Sequence, residues 1–338
     1  MLPLCILRSR NPLWQPNGLE ADWERIHGYE SLDLEGARRL LSPSRISVHS
    51  IVLLAEGKAN TNYLIETQDG PRVLRLHGRQ GDSMDSSWLA PLDVPTPELI
   101  GTTARWSLYE WKPGISLEQA LLHRRSLPYE LIARQLARVR AAMNKRLCRS
   151  AGFFDAEQPL NALDLSGNHD NPLIVKDCWP SAIEGLLGYL RHLLNGVKLP
   201  KEAKSRIAQI IDDAEPRLQA VAGPPVLVHG DFKPSNILVD ESGLTAVLDW
   251  EFAHAGTWLS DVGQLLRHPE SLPEGFTDAF LEELKAPEDT MLLARTLDFV
   301  NLIDFLHKEK DQPKMRADVT RRIEEVCALY QARFGPLP

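Results

Sequence analysis

The stretch VLVHGDFKPSNILVD (residues 226–240) decides the fold, and it places Asp231 and Asn236 five residues apart between two short apolar runs. A second stretch, LTAVLDWEFAHAG (residues 244–256), follows almost at once and carries Asp249 at the end of its own apolar run. Burying an acid or an amide is unfavourable unless the group is paired or binds a ligand. These three residues are therefore the first candidates for a functional site.

The two stretches predict a β-hairpin with residues 241–243 near its tip. Counting outward from that tip, Asn236 and Asp249 fall at or near opposite positions, where facing Cβ atoms are about 4.5–5.5 Å apart. An amide oxygen and a carboxylate at that spacing suit Mg²⁺, which prefers oxygen ligands. Asp231, on the loop that enters the hairpin, is expected to project beside the ion.

This arrangement suits phosphoryl transfer, a reaction that asks the protein mainly for positioning and charge neutralisation. The metal would sit on the phosphates of ATP or GTP, and Asp231 would orient the attacking hydroxyl. Lys233 would add a positive charge near the transferred group. The predicted reaction is a metal-dependent transfer of phosphate to a hydroxyl.

Composition bounds the class of protein. The chain has 338 residues, 43% of them hydrophobic and 25% charged, with a net charge of −8, as in ordinary globular proteins. No basic stripe favours nucleic acid, and no apolar run is long enough for a membrane helix. The four cysteines are scattered without a CxxC pair, which favours free thiols in a reducing compartment. The opening MLPLCIL (residues 1–7) predicts a local extension rather than a secretory signal, so a cytoplasmic enzyme is expected.

The order of predicted elements separates a β-rich part from a helical part. A short helix is predicted at 33–41 and a strand at the end of the N-terminal part, in RWSLYEWKPG (105–114). Asp69-Gly70 predicts a hairpin between two of the earlier strands. Those earlier strands are predicted at 45–54, 61–67 and 71–77. Helical periodicity covers 128–147, 181–195, 201–221, 275–285, 289–308 and 315–333.

The segments HGDFKPSN and LDWE resemble the catalytic and metal-binding segments of aminoglycoside phosphotransferase-like kinases, which are relatives of the eukaryotic protein kinases. The resemblance implies an α+β, bilobal protein-kinase-like fold with a small β-rich N-lobe and a larger, mainly helical C-lobe. It divides the chain into a nucleotide-clamping lobe (1–107), a hinge (108–113) and a catalytic and substrate-binding lobe (114–338). The implied cofactors are ATP (or GTP) and Mg²⁺.

Carried over by position, the resemblance assigns roles around the hairpin. Asp231 would be the catalytic base, and Asn236 and Asp249 would be the magnesium ligands. His229 would support the catalytic loop. Asp261, in GTWLSDVGQLLR, resembles the acid that braces this loop in the family.

The resemblance also assigns residues that hold the nucleotide. EGKANTNYLIE resembles the hairpin that covers the nucleotide, with Gly57 and Asn60 in the Gly-x-x-Asn pattern. Arg75, in VLRLH, would hold the place of the phosphate-binding lysine. LYEWKPG resembles the hinge, where backbone groups of Tyr109, Glu110 and Trp111 would meet the adenine.

One departure from the protein-kinase pattern supports a different function. Residues 78–90 contain no glutamate to pair with Arg75, only Asp82 and Asp85. A kinase-like nucleotide-binding regulator without turnover is therefore the alternative hypothesis. The presence of Asp231 favours the enzyme, because a binding module needs no base.

The acceptor is predicted to be a hydroxyl of a small molecule. The gap between Asp249 and Asp261 leaves no room for the long activation segment that a protein substrate would need. Glu251 either meets a cationic substrate or ends a solvated strand. Asp298, Asn301 and Asp304 form a polar stripe that either lines the cleft, favouring amines and hydroxyls, or faces water. An aminoglycoside or other antibiotic, a sugar and an amino alcohol all remain open.

Overall fold

The computed structural model describes residues 19–20, 23–24, 30–54, 60–77, 92–154, 178–307 and 312–335. Over these residues the protein has the predicted α+β, bilobal kinase-like fold, with an antiparallel sheet toward the N-terminus and a larger helical part. The sequence-based fold class is thus confirmed. The lobe boundaries at 107 and 114 stay predictions.

The N-terminal sheet has five antiparallel strands in the order β1-β2-β3-β5-β4. Helix α1 (Leu34–Leu41) packs against it. Asp33 caps this helix by accepting a hydrogen bond from the amide of Gly36. The hairpin predicted at Asp69-Gly70 joins the second and third strands. The strands are β1 (Val48–Leu54), β2 (Thr61–Thr67), β3 (Gly70–Leu76), β4 (Leu99–Thr102) and β5 (Trp106–Glu110).

The rest of the described chain is mostly helical, with two small three-stranded sheets, β10-β9-β6 and β7-β11-β8. The helices are α2 (Leu117–Leu122), α3 (Tyr129–Asn144), α4 (Ala182–Gly196), α5 (Lys201–Ala222), α6 (Leu259–Leu265), α7 (Phe276–Leu284), α8 (Thr290–Leu297), α9 (Phe299–His307) and α10 (Pro313–Phe334). The strands are β6 (Ile115–Ser116), β7 (Gly152–Phe153), β8 (Val226–Val228), β9 (Ile237–Asp240), β10 (Gly243–Val247) and β11 (His254–Gly256). None of the described helices combines the length and hydropathy needed to cross a bilayer.

Two separate hydrophobic cores underlie the two lobes. The smaller core lies between α1 and the five-stranded sheet, and Ile65 and Leu74 are fully buried in it. It forms because the buried side chains alternate along the middle strands of the sheet. The larger core gathers the helical part and, with it, Leu19 and Trp23 from the N-terminal segment. The expectation for residues 1–7 lies outside the described residues.

The predicted apolar face of α3 is buried from Ile132 to Met143. Leu147 was predicted on the same face, but the helix ends at Asn144 and Leu147 is exposed, forming a single β-bridge with Val226. The predicted helix at 289–308 is divided into α8 and α9 at Asp298. Four short strands and two short helices were not predicted, because two to seven residues carry too little periodicity.

The predicted hairpin is β9 and β10, with the turn at residues 241–242. Its register shifts by one residue between Leu244 and Ala246. Asn236 therefore lies opposite Leu248, whose amide donates to the Asn236 carbonyl oxygen at 2.8 Å, and Asp249 lies one residue beyond. The prediction that Asn236 and Asp249 fall at or near opposite positions is confirmed to within one residue, and the two residues lie at the same end of the hairpin.

The contact between α6 and α8 depends on a glycine. A Cβ atom at Gly263 would lie well inside van der Waals contact with the carbonyl oxygen of Ala294. That oxygen belongs to helix backbone and cannot turn away. The close approach of these two helices matters for the site because α6 carries Asp261.

We predict that Gly263→Ala lowers the free energy of unfolding by about 1–3 kcal/mol, since a methyl group would force the two helices apart. Gly188→Ala is the matched control, because Gly188 is exposed within α4 and a Cβ atom there meets nothing within 4 Å. That control should be neutral or gain about 0.5–1 kcal/mol. Urea unfolding measures both. Equal stability of the two variants would contradict the close approach.

Candidate active site

The loop between β8 and β9 is held by the carboxylate of Asp261, which is fully buried at the start of α6. One oxygen accepts the amide of His229 at 3.0 Å, and the other accepts the amide of Gly230, also at 3.0 Å. A carboxylate placed this way satisfies two loop amides that would otherwise be buried without partners. Asp261 thus fixes the backbone directly before Asp231.

Asp261 is itself held by a buried ion pair with Arg140 of α3, and both side chains are fully buried. The guanidinium of Arg140 also contacts the side-chain oxygen of Asn144 and the carbonyl oxygen of Leu227. Burial lowers the pKa of Arg140, while the charge of Asp261 opposes that shift. Breaking a buried pair leaves an uncompensated charge in the interior, so each partner requires the other.

A second side chain from α6, Gln264, clamps the same loop. Its amide oxygen accepts the amide of Phe232 at 2.6 Å, and its amide nitrogen donates to the carbonyl oxygen of Gly230 at 2.7 Å. Gly230 has φ 83°, and a Cβ atom there would clash with the carbonyl oxygen of Phe252. Glycine at this position therefore lets the loop turn directly under the 252 backbone.

His229, predicted to support the loop, contacts it from inside. Its Nδ1 accepts the amide of Asp231 at 3.1 Å, which leaves Nε2–H to donate to the carbonyl oxygen of Leu248 at 2.8 Å. Burial lowers the pKa of His229, consistent with a neutral ring in this tautomer. The ring stacks at an angle on Trp250, with centroids 4.4 Å apart. His229 thereby joins the Asp231 loop to the strand end that carries Asp249.

Asp231 and Asn236 lie side by side. The amide nitrogen of Asn236 donates to Oδ2 of Asp231 at 2.8 Å and to its carbonyl oxygen at 3.0 Å. The ammonium of Lys233 lies 3.1 Å from the other carboxylate oxygen. Both oxygens of Asp231 are thus oriented by neighbours, as positioning for proton acceptance requires.

Asp249 lies in the left-handed backbone region, with φ 57°, directly after β10. Its carboxylate forms an ion pair with Arg75 of β3, across the two lobes. Burial raises the pKa of Asp249, but the charge and hydrogen bond of Arg75, together with the electrostatic effects of nearby His229 and Lys233, lower the pKa overall. Arg75 also donates to the side chain of Asn62 at 3.3 Å and lies 5.6 Å from the ring centre of Tyr109. Asp249 is therefore the acid found beside Arg75, while Asp82 and Asp85 lie outside the described residues.

The donor set fits Mg²⁺ bound together with a nucleotide. Asn236 uses its amide nitrogen on Asp231, so its amide oxygen is the atom able to meet a cation. Asp249 offers a carboxylate from the neighbouring strand end. Within the described ranges no group of three or more His, Cys, Asp or Glu side chains could hold a metal. Two protein oxygens agree with the habit of Mg²⁺, which takes one or two protein ligands plus phosphates and water.

The residues expected to meet the adenine lie around the end of β5, and those expected to cover the nucleotide lie before β2. Tyr109 and Glu110 end this strand, and Trp111 follows it half-buried. The amide of Glu110 donates to the carbonyl oxygen of Glu98 at 2.9 Å, so this amide is used within the sheet. Asn60 is buried at the start of β2. Gly57 lies outside the described residues.

The polar stripe predicted on residues 298–304 does not behave as one surface. Asp298 is only 2% exposed, and Arg267 takes both of its carboxylate oxygens, at 2.6 and 2.8 Å. The prediction that Asp298 meets the substrate or water is therefore wrong, because a buried arginine already neutralises it. Asn301 donates to Asp298 at 2.9 Å, and Asp304 accepts the hydroxyl of Tyr189 at 3.1 Å. Glu251 is half-buried beside Asp249, within the electrostatic reach of Arg75.

Three residues of this site were missed by the sequence analysis. Arg140 falls on the buried face of α3, three residues before Met143, and a charged residue on an apolar face was a signal. Gln264 lies three residues after Asp261 on the same helix face, and this spacing was a weaker signal. Glu20 contacts Lys233, and no local pattern marked it.

We predict that Asp261→Asn lowers the free energy of unfolding by about 3–5 kcal/mol, since it strips Arg140 of its buried counter-charge. Asp212→Asn is the matched control, because Asp212 pairs with Arg191 on the surface and should change stability by less than about 0.5 kcal/mol. Urea unfolding of both variants is the measurement. Similar losses of unfolding free energy in the two variants would show that the buried pair contributes no more to stability than the surface pair.

With this geometry in view, the chain was compared with known proteins. Residues 50–293 match the phosphotransferase enzyme family. No curated protein matches the chain in a sequence comparison. Among solved structures, aminoglycoside phosphotransferase APH(4)-Ia is similar at 16% identity and a TM-score of 0.63, over 88% of this chain and 97% of that one.

Two further solved structures show the same fold. Macrolide 2'-phosphotransferase MphH from Brachybacterium faecium is 19% identical, with a TM-score of 0.56 over 90% of this chain and 99% of that one. A protein from Thermobifida fusca assigned as a fructosamine-3-kinase is 20% identical, with a TM-score of 0.57 over 88% of this chain and 98% of that one. Because the family match spans well over half of the chain, the protein belongs to the phosphotransferase enzyme family.

Proposed function

We propose that this chain is an ATP- and Mg²⁺-dependent kinase that phosphorylates a hydroxyl of a small molecule. The observation that carries the proposal is the orientation of Asp231, with one carboxylate oxygen on the Asn236 amide and the other on the Lys233 ammonium. Family membership supplies the reaction class, and this geometry supplies a candidate base.

Asp231 would accept the proton of the attacking hydroxyl as its oxygen approaches the γ-phosphorus. An acid held by two neighbours loses little freedom at that step, which favours a reaction dominated by positioning. Lys233, beside Asp231, would stabilise negative charge on the transferred group. Arg75 reaches across the lobes and would bind nucleotide phosphates, as its guanidinium suits such anions.

Asn236 and Asp249 would hold Mg²⁺, which when bound neutralises charge on the nucleotide phosphates. The chain's own part is to present an amide oxygen and a carboxylate from adjoining strand ends. Asp249 is anchored through the His229 and Trp250 contacts behind it. A variant of APH(4)-Ia has been crystallised with AMP-PNP and hygromycin B, which supports a nucleotide as the phosphate donor here.

The acceptor is proposed to be an aminoglycoside or another antibiotic, or otherwise a sugar or an amino alcohol. The proteins with similar structures are described as phosphotransferases of aminoglycosides and macrolides and as a kinase of fructosamines. All of these compounds carry hydroxyl groups. Half-buried Glu251 and Asp304 give the chain acids near the C-lobe surface that suit amines and hydroxyls. The alternative is a nucleotide-binding regulator without turnover, and the presence of Asp231 favours the enzyme because a regulator needs no base.

We predict that Asp231→Asn cuts turnover by about 10²–10⁴-fold, because an amide cannot accept the proton. Nucleotide binding should stay nearly unchanged. The measurement is Mg²⁺-dependent ADP release over a panel of aminoglycosides, macrolides, sugars and amino alcohols, with ATP binding followed by calorimetry.

The control for this experiment is Asp278→Asn, an acid exposed on α7, which should keep full turnover. Acceptor-stimulated release that survives Asp231→Asn would remove Asp231 from its role. Tight ATP binding without acceptor-stimulated release for any compound would favour the regulator instead.

A further inference from the structure

The N-terminal segment docks on the C-lobe, although it precedes the N-lobe in sequence. Leu19 and Trp23 are buried in the larger core. The indole nitrogen of Trp23 donates to the carboxylate of Asp318 at 3.2 Å, and its ring meets the ring of Phe305 edge-on, with centroids 5.0 Å apart. These contacts fix the segment between α9 and α10.

Glu24 anchors the same segment a second time. Its two carboxylate oxygens accept the amides of Lys314 and Met315 at 3.0 and 3.3 Å. These amides belong to the first turn of α10, where helical amides have no partner within the helix. The side chain of Gln312 donates to the Glu24 carbonyl oxygen at 2.9 Å. These hydrogen bonds hold Glu24, four residues after Glu20, against the start of α10.

Glu20 points from this segment into the candidate active site. One carboxylate oxygen lies 3.2 Å from the ammonium of Lys233, and the other is paired with Arg267. Lys233 in turn lies 3.1 Å from Asp231. Burial alone would raise the pKa of Glu20, but the charges of Lys233 and Arg267 hold the pKa at about 2. Glu20 is thus an ionised acid one residue removed from the base.

Arg267, the partner of Glu20 on the side away from Lys233, is itself held in place. Arg267 is 3% exposed and is gripped by both oxygens of Asp298. The charges therefore alternate along a line from Asp231 through Lys233, Glu20 and Arg267 to Asp298. Because the buried guanidinium of Arg267 holds the Glu20 carboxylate in place, the flexible side chain of Lys233 must adopt a conformation that reaches Glu20.

Lys233 is a long side chain with three donors on its ammonium. Asp231 and Glu20 direct two of these donors, and a third donor could meet a phosphate oxygen, since among the described residues these two are its ion-pair partners. Without Glu20, one of the two anchors of the ammonium is lost, and a four-carbon stem has many rotamers to explore. The position of Lys233 beside Asp231 thus depends on an acid from outside the hairpin.

We propose that Glu20 is a positioning residue for phosphoryl transfer, which holds the Lys233 ammonium in place beside Asp231. The proposal rests on the proposed function for its effect on turnover. Glu20 lies outside residues 50–293, the part of the chain that matches the phosphotransferase family. The proposal therefore makes the N-terminal segment part of the candidate active site in the C-lobe.

The first test measures the contact without any acceptor. A double-mutant cycle of Glu20→Gln and Lys233→Met, followed by urea unfolding, should show a coupling of about fivefold or more in the unfolding constant. Asp278→Asn with Lys233→Met is the control cycle, because Asp278 is an exposed acid on α7 and has no role in holding the N-terminal segment. That cycle should be additive. Equal coupling in the two cycles would overturn the contact.

The second test measures turnover of Glu20→Gln and Glu20→Asp with the acceptor found in the panel. Gln keeps the shape without the charge, and Asp keeps the charge on a shorter stem. We expect kcat to fall about 10- to 100-fold in Glu20→Gln with little change in KM for ATP, and Glu20→Asp to recover part of the loss. Asp278→Asn, an exposed acid on α7, should keep kcat near wild type.

Three results of the second test would overturn the positioning role. Wild-type kcat in Glu20→Gln would mean that Glu20 serves packing alone, and so would a Gln variant more active than the Asp variant. A rise in kcat would mean that Glu20 restrains Lys233 instead of placing it. No acceptor-dependent turnover in the wild type above Asp231→Asn would overturn the proposed function, and with it the effect on turnover, while the unfolding cycle would still decide the contact.

Discussion

The buried ion pair between Arg140 and Asp261 is the interaction on which the site depends. Two charges removed from water cost several kcal/mol each, so such a pair is a poor source of stability compared with an apolar contact. Here the pair positions the loop, because the Asp261 carboxylate also accepts hydrogen bonds from the amides of His229 and Gly230. The loop that presents Asp231 is therefore held by a carboxylate whose charge Arg140 neutralises.

From that loop, two series of side-chain contacts lead toward the two lobes. Toward the N-lobe, His229 and Trp250 lead to Asp249, which pairs with Arg75 on the sheet. Toward the C-lobe, Lys233 leads through Glu20 to Arg267 and Asp298. Each acid in these chains faces a cation, so the candidate base sits in a field set by fixed partners instead of by solvent.

Local patterns allowed much of this to be predicted from the sequence. The hairpin that carries Asn236 and Asp249 was predicted because apolar runs, a turn and short spacing all lie within 25 residues. The bulge between Leu244 and Ala246, which brings Asn236 opposite Leu248 and next to Asp249, leaves no mark in composition. The helices predicted at 128–147 and 201–221 correspond to α3 and α5 because their periodicity runs over several turns.

The contacts between distant segments could not be predicted in this way. Arg75 meets Asp249 from 174 residues away, and Arg267 meets Glu20 from 247 residues away. Asp298 was misplaced for the same reason: a polar stripe shows that residues share a helix face, but not that Arg267 covers one of them. Charge pairs of this kind follow from the packing of helices and segments, and a single sequence does not reveal it.

The most direct test of the account is a crystal structure of the protein with Mg²⁺ and AMP-PNP. It should place the metal about 2.0–2.1 Å from the amide oxygen of Asn236 and a carboxylate oxygen of Asp249, the usual Mg²⁺ distance. The terminal phosphate should face Asp231 and Lys233. A metal bound by other residues, or a nucleotide whose terminal phosphate lies away from Asp231, would contradict the assignment of this site to phosphoryl transfer.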